Sequence, residues 1–116
     1  MEYPKDQVEE LKNYCTAVRL LEEADFSFLF LENLRLPDVC KPSVCHGLLC
    51  PVDREGYPSR LYLSEKVSCP FERNWNVSEA RIGEMNWFAF SWKLERIPET
   101  LAQMLVEHLS GFTRVK

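Results

Sequence analysis

Cysteine and histidine residues capable of metal or thiol chemistry are concentrated in one short part of the chain. Cys40, Cys45, His46 and Cys50 lie within eleven residues, and zinc takes thiolate and imidazole ligands from such clusters. Their C-x4-C-x4-C spacing lacks the C-x2-C pair of a zinc knuckle. If residues 44–50 form a strand, Cys45 and Cys50 also face opposite sides of it. The sequence therefore predicts no metal site, and it indicates no cofactor.

Two other residues with reactive side chains lie outside that cluster. Cys69 lies in the polar segment SCPFERNWN, together with Asn74 and Asn76. His108 falls near the apolar stripe of a predicted C-terminal helix, where a hydrogen-bonded structural histidine is the simpler interpretation. A catalytic dyad of Cys69 with His108 requires this helix to pack beneath the loop. The sequence does not fix that distance, so both interpretations of His108 stay open.

The elements that must position these residues follow from hydrophobic periodicity. Apolar residues three and four apart predict a helix over residues 4–22, with Pro4 in its first turn. Apolar or alternating segments predict strands at residues 26–31, 44–50 and 60–67. Residues 68–84 are polar and irregular, which is typical of a loop. A second amphipathic stripe after Pro98 predicts a closing helix that ends near Gly111.

A rigid corner separates the second and third predicted strands. Pro58 fixes its own backbone angle φ and disfavours the helical conformation for Tyr57. We therefore expect Tyr57 and Pro58 to hold the turn as scaffold and not to take part in chemistry. Gly47, in the middle of the preceding strand, indicates a bulge.

The segment at residues 86–94, NWFAFSWKL, is dense in aromatic residues. Alternation favours a strand, although a short helix or a packed loop would also accommodate the rings. Filling of the core is the simpler role for them. The alternative is an exposed aromatic surface that binds a protein partner through Trp87, Phe88 and Trp92.

Composition and charge argue against several classes of protein. The 116 residues suit a single domain spanning residues 1–116. The net charge of −4 and the lack of a basic stripe argue against binding of nucleic acid. No apolar run approaches the roughly 18 residues that a membrane helix needs. Five cysteines, an odd number without a preceding signal peptide, favour reduced thiols and a cytoplasmic location.

Together these elements predict an α+β domain. Its sheet is an antiparallel meander of three to four strands, flanked by an N-terminal and a C-terminal helix. An exposed strand edge in such a sheet would permit a homodimer.

This order of helix, meander, Tyr-Pro corner and helix resembles the ubiquitin-conjugating-enzyme and RWD superfamily over most of the chain. It is similar in particular to small prokaryotic members, which are encoded beside ubiquitin-like, activating and deubiquitinase-like genes. Three short motifs carry the resemblance: Leu36-Pro37 before the second strand, Gly56-Tyr57-Pro58 before Leu61-Tyr62-Leu63, and Trp87 with Ser91-Trp92 before the last helix.

The resemblance implies a carrier that accepts a ubiquitin-like protein from its activating enzyme as a thioester. The family's catalytic cysteine follows the corner, and Cys69 is the only cysteine downstream of it. Asn74 or Asn76 would then donate to the oxyanion, and Arg73 would lower the pKa of the thiol. His108 would be the candidate base.

Departures from the family pattern favour a different function. The His-Pro-Asn element is absent, and the chain is short, without the second helix pair of full-length eukaryotic members. Cys69 also lies nearer to the corner than the family's spacing, although its loop with two asparagines favours the enzyme. The alternative is a catalytically silent RWD-like module, which holds a protein partner through its sheet edge or its aromatic segment.

Overall fold

The structure, a computed structural model, describes residues 3–23, 26–51, 59–68, 77–82, 85–89 and 98–112. This part of the chain forms two helices and six strands: α1 (Lys5–Leu11), β1 (Ala17–Glu23), β2 (Phe26–Arg35), β3 (Val44–Cys50), β4 (Arg60–Leu63), β5 (Val77–Ile82), β6 (Met85–Ala89) and α2 (Leu101–Ser110). The predicted α+β class is confirmed, but the predicted number of strands is too small.

All six strands join one antiparallel sheet in the order β1-β2-β3-β4-β6-β5. The first four strands are neighbours in both sequence and space, as expected for a meander. β5 and β6 form a further hairpin, whose second strand pairs with β4. In the described chain, β1 and β5 are therefore the two edges of the sheet.

The predicted helix over residues 4–22 is wrong in its second half. α1 ends at Leu11, and the chain then enters β1 at Ala17. Apolar residues such as Val8 and Val18 fit a continuous helix as well as a short helix followed by a strand, because periodicity alone does not locate the break. The pairing of residues 17–23 with β2 decides between these two structures. β2 buries residues on both faces and needs a neighbour along each edge to satisfy its backbone, and β1 supplies one of them.

The other strand predictions differ in how well they match. β3 has the predicted bounds, β2 runs four residues further than predicted, and β4 stops at Leu63 instead of residue 67. The irregular loop predicted over residues 68–84 is wrong where β5 forms, because β5 pairs with β6. β6 agrees with the strand interpretation of the aromatic segment. Tyr57 and Pro58 lie outside the described residues, between β3 and β4 in sequence.

Both helices contribute to a hydrophobic core on one face of the sheet. Leu61 and Leu63 of β4 lie in this core with Leu105 of α2. A fully buried leucine side chain stabilises the fold by about 1.5–3 kcal/mol. α2 has the predicted position: Thr100 accepts a hydrogen bond from the Gln103 N–H at its start, and Gly111 follows its last turn.

The opposite face of the sheet carries a second core, which is built from strand side chains: Phe28, Leu48, Cys50, Tyr62, Ile82, Trp87 and Ala89. The ring of Phe30 on β2 meets the ring of Trp87 on β6 edge to face, with centroids 5.7 Å apart. Three strand spacings separate β2 from β6, which amounts to about 14 Å in a flat sheet. The sheet is therefore curled, and its concave face packs against itself.

Gly47→Ala is expected to lower the free energy of unfolding by about 1–3 kcal/mol. The bulge predicted at Gly47 lies instead in the partner strand opposite it, where the β2 register shifts between Leu31 and Leu34. A Cβ atom on Gly47 would lie 2.7 Å from Cδ2 of Leu34, which is fully buried and has little room to move. Urea unfolding measures the change. Val44→Ala, at an exposed position of the same strand, is the control, and equal losses in the two variants would contradict this contact.

Candidate functional site

A buried polar group joins α2 to the β3–β4 hairpin. The Ser59 hydroxyl lies 2.9 Å from Nε2 of His108 and 2.9 Å from the carbonyl oxygen of Cys50. Ser59 shares a strand face with Leu61 and Leu63, which is the face that α2 covers. Ser59 is fully buried and His108 is 3 % exposed. This arrangement holds the end of β3 and the start of β4 against the last helix.

The two hydrogen bonds of Ser59 define the tautomer of His108. A carbonyl oxygen only accepts, so the single hydroxyl proton of Ser59 is donated to Cys50. The Ser59 oxygen must then accept from His108, which places a proton on Nε2. In this arrangement His108 donates to Ser59 and does not act as a base toward it.

Burial keeps His108 neutral. The pKa of His108 is lowered to about 3, mainly by desolvation on burial and in smaller part by the positive charge of Arg60. Arg60 is itself 3 % exposed, and its guanidinium carbon lies 5.8 Å from the ring centroid of Tyr62. A neutral imidazole fixed by Ser59 and disfavoured as a cation is suited to structural support.

The second histidine, His46, lies half-buried on the concave face of the sheet. Its Nδ1 accepts a hydrogen bond from the backbone N–H of Asn33 at 3.1 Å, and its ring centroid lies 5.5 Å from that of Phe30. Asn33 has a φ of 52°, a left-handed conformation that asparagine adopts more readily than most residues. His46 therefore stabilises the bulge in β2, where the register shifts between Leu31 and Leu34.

Four of the five cysteines, Cys15, Cys40, Cys45 and Cys50, are buried thiols. Cys45 lies in the core beneath the helices and Cys50 in the concave core, so they face opposite sides of β3 as predicted. Burial raises the pKa of Cys15, and it raises the pKa of Cys45 to about 11. Both thiols stay protonated at neutral pH, and the thiol form is a poor nucleophile.

The chain is firmly held one residue before Cys69. The backbone N–H of Ser68 donates to the carbonyl of Lys41 and the N–H of Lys41 donates to the carbonyl of Ser68, both at 2.8 Å. We call this pair the Lys41–Ser68 bridge. Val67, directly before it, is 5 % exposed and packs in the core beneath the helices, whereas Ser68 is exposed. The bridge thus fixes where the following segment begins.

The residues predicted to carry function are distributed unevenly in the structure. Trp87 is fully buried, and its Nε1–H donates a hydrogen bond to the carbonyl of Ile82 at 3.0 Å. This residue therefore fills the core, and it is not part of an exposed aromatic surface. Phe88 is half-buried on the other face of β6, with Nζ of Lys66 5.8 Å from its ring centroid. The remaining candidates lie outside the described residues: Cys69, Asn74, Asn76 and Trp92.

Sequence reasoning missed Ser59, the partner of His108. The available signal was alternation, since Ser59 is two residues before Leu61 and four before Leu63 on one strand face. A serine at such a position needs a buried hydrogen-bond partner. The pairing with His108 spans 49 residues, and no local pattern identifies a partner that far away.

The described residues form neither a metal-binding cluster nor a membrane-spanning helix. Their Cys, His, Asp and Glu side chains nowhere converge in a group of three that would bind a metal ion. Neither α1 nor α2 has the length and apolar character needed to cross a lipid bilayer.

Comparison of the chain with protein-family models, with curated proteins and with solved structures finds no match in any of the three.

Proposed function

We propose that the protein is a carrier that holds a ubiquitin-like protein as a thioester on Cys69. The burial of Cys15, Cys40, Cys45 and Cys50 carries this proposal. A carrier thiol must meet a large protein thioester, and none of these four is accessible to one. If the chain uses a cysteine for this chemistry, Cys69 is the candidate that burial leaves.

The arrangement of strands supports a relation to the ubiquitin-conjugating-enzyme and RWD superfamily. β1 to β4 form a meander covered on one face by helices, and the Tyr57-Pro58 dipeptide falls between β3 and β4 in sequence. In the superfamily this dipeptide likewise separates two consecutive strands. The Lys41–Ser68 bridge also supports the proposal, because a covalently loaded residue needs a fixed attachment to the domain.

The proposed reaction has two balanced steps. The Cys69 thiolate attacks the thioester carbonyl of the activating enzyme, a new carbon–sulfur bond forms, and the activating enzyme leaves as a thiolate. An acceptor amine then attacks the new thioester, loses a proton and releases the Cys69 thiolate. In this proposal the side-chain amide of Asn74 or Asn76 donates to the oxyanion of each tetrahedral intermediate.

Thiol accessibility gives a first test that requires no partner. We expect a thiol reagent to label one of the five cysteines rapidly in the native protein and the other four only after denaturation. The physical reason is that burial both shields the four thiols and raises the pKa of Cys15 and Cys45. Cys69→Ala should remove the rapid phase, and Cys15→Ala should preserve it. A rapid phase that persists in Cys69→Ala would show that another thiol is accessible.

Transfer itself is tested with a ubiquitin-like protein, its activating enzyme and ATP. We expect an adduct that reductant cleaves, that disappears in Cys69→Ala and that persists in Cys15→Ala. An adduct that survives in Cys69→Ala would exclude Cys69 as the carrier. If no adduct forms with the cognate ubiquitin-like protein and its activating enzyme, the proposed carrier function loses most of its support.

A second candidate function is a catalytically silent, RWD-like module that binds a protein partner. The state of His108 favours it, because the one candidate base among the described residues is buried, neutral and already bonded through Nε2. The same experiment separates the two functions: a silent module would bind a partner in a pull-down but form no thioester adduct.

A further inference from the structure

The Lys41–Ser68 bridge joins two segments that each carry a cysteine at the next position. Lys41 and Ser68 exchange both backbone hydrogen bonds and run antiparallel, so they form a hydrogen-bonded pair of an antiparallel ladder. In such a ladder, one step back along the first segment faces one step forward along the second. Cys40 precedes Lys41, and the peptide bond after Ser68 leads to Cys69. The register of the bridge therefore matches Cys40 with Cys69.

The described member of this pair, Cys40, has the backbone and the burial that the register requires. Its N–H donates to the carbonyl of Pro37 at 2.9 Å, so this N–H is used within its own turn. A residue of the non-hydrogen-bonded pair next to the bridge is expected to direct its N–H away from the partner segment in this way. Burial also alternates as it does along a strand: Lys41 and Ser68 are exposed, whereas Cys40 is fully buried.

We propose that Cys40 and Cys69 form a disulfide when the protein is oxidised. Opposed residues of a non-hydrogen-bonded pair have Cα atoms about 4.5 Å apart, and their side chains lie on the same face of the ladder. A disulfide spans Cα separations of about 4.4–6.8 Å. Continuing the ladder by one residue beyond the bridge is therefore sufficient to bring the two sulfur atoms within bonding reach.

The other three cysteines lie at positions that the bridge does not match with Cys69. Cys45 lies in β3, where Leu34 of β2 is its partner. Cys50 lies in the concave core, on the other face of the sheet from Cys40. Cys15 comes before β1, which pairs along β2. Among the four buried thiols, Cys40 is the one next to the bridge.

A peroxide is the oxidant of the proposed reaction. The Cys69 thiolate attacks one oxygen of the peroxide: a sulfur–oxygen bond forms, the oxygen–oxygen bond breaks, and the released hydroxide takes a proton and leaves as water. The Cys40 sulfur then attacks the sulfur of the resulting sulfenic acid. A sulfur–sulfur bond forms, the sulfur–oxygen bond breaks, and the second hydroxide takes the Cys40 proton. Two thiols and one hydrogen peroxide thus give one disulfide and two waters.

The disulfide would regulate the carrier, and this consequence rests on the function proposed above. A Cys69 sulfur bonded to Cys40 cannot form a thioester, and it is held against a residue that is fully buried. Thiol–disulfide exchange with a reductant returns both thiols. Oxidation would therefore switch transfer off reversibly, without removing the site.

Peptide mapping of the full chain after mild treatment with hydrogen peroxide tests the disulfide. Trypsin digestion without reductant should give residues 36–54 linked to residues 67–73, because a proline follows Lys41 and prevents cleavage there. The first of these peptides contains three cysteines, so fragmentation must assign the bond. We expect the fragment of residues 42–54 to carry no added mass, which places the bond at Cys40. A bond from Cys69 to any other cysteine, a bond between two chains, or no linked peptide would overturn the proposal.

Two single variants check the assignment independently. Cys40→Ala should abolish the linked peptide, whereas Cys45→Ala, which removes a buried thiol of the same core, should preserve it. Equal loss in the two variants would contradict the proposed pairing. The native protein alone, mapped by fragmentation, decides the assignment if either variant fails to fold.

The regulatory consequence is tested by removing the peroxide and then adding the ubiquitin-like protein, its activating enzyme and ATP. We expect the adduct to decrease in proportion to the linked fraction, and to recover when the protein is first reduced and the reductant is removed. An undiminished adduct from fully linked protein would overturn the regulation. A linked peptide together with no adduct from the reduced protein would support the disulfide and reject the carrier function, so the two proposals fail separately.

Discussion

The free energy of unfolding is expected to fall by roughly 5 kcal/mol as the pH drops from 6.5 to 3, through His108 alone. In the unfolded chain this imidazole has its ordinary pKa of 6.5, whereas burial in the folded chain lowers its pKa to about 3. Between these values the unfolded state binds the proton and the folded state does not. The stabilisation is therefore complete above pH 6.5 and is lost as the pH falls toward 3.

Urea unfolding at a series of pH values measures this loss. His108→Gln keeps a side-chain donor for Ser59 but has no titratable ring, so the slope of stability against pH should decrease by about 1.4 kcal/mol per pH unit in this range. His46→Gln, which removes the chain's other histidine, is the matched control and should retain the contribution of His108. Identical slopes for the native protein and His108→Gln would show that His108 is not kept neutral by the fold.

Trp87→Ala is expected to lower the free energy of unfolding by about 3–5 kcal/mol. Its indole is fully buried in the concave core, so truncation leaves a large cavity. The change also removes the Nε1–H that the carbonyl of Ile82 accepts. Chemical unfolding of the variant gives the magnitude, and a loss below 1 kcal/mol would contradict this burial.

A double-mutant cycle between Phe30 and Trp87 tests the curl of the sheet directly. Edge-to-face aromatic pairs contribute about 0.5–1.5 kcal/mol beyond their burial, so the losses in Phe30→Leu and Trp87→Leu should not add. The control cycle pairs Phe30→Leu with Phe88→Leu, because Phe88 neighbours Trp87 on β6 but faces the other side of the sheet. Its coupling should be below about 0.5 kcal/mol. Additive losses for Phe30 and Trp87 would indicate a flatter sheet.

Local patterns in the sequence predicted the elements whose signals are internal to one segment. β3 has the predicted bounds, and α2 begins after Pro98 and is followed by Gly111. The opposite orientation of Cys45 and Cys50 followed from strand geometry alone. These predictions needed only periodicity, a helix-starting residue and a terminating glycine.

Pairing between distant segments determines what the sequence did not predict. Residues 17–23 fit a helical stripe, and they form β1 because β2 needs a partner on that side. Val77–Ile82 is a polar segment that becomes a strand through its hairpin with β6. The contact of His108 with Ser59 likewise depends on how α2 packs over the sheet. Long-range contacts of this kind leave no local pattern.

The two cores on either side of the sheet restrict how this protein meets other molecules. One face packs against the helices, and the concave face is filled by its own aromatic side chains. Neither core therefore offers a bare sheet surface on which a partner would lie flat. Among the described residues, the surface open to solvent is therefore that of the strand edges, the loops and the outer sides of the helices. Substitutions of these exposed side chains are expected to change the free energy of unfolding by less than about 0.5 kcal/mol.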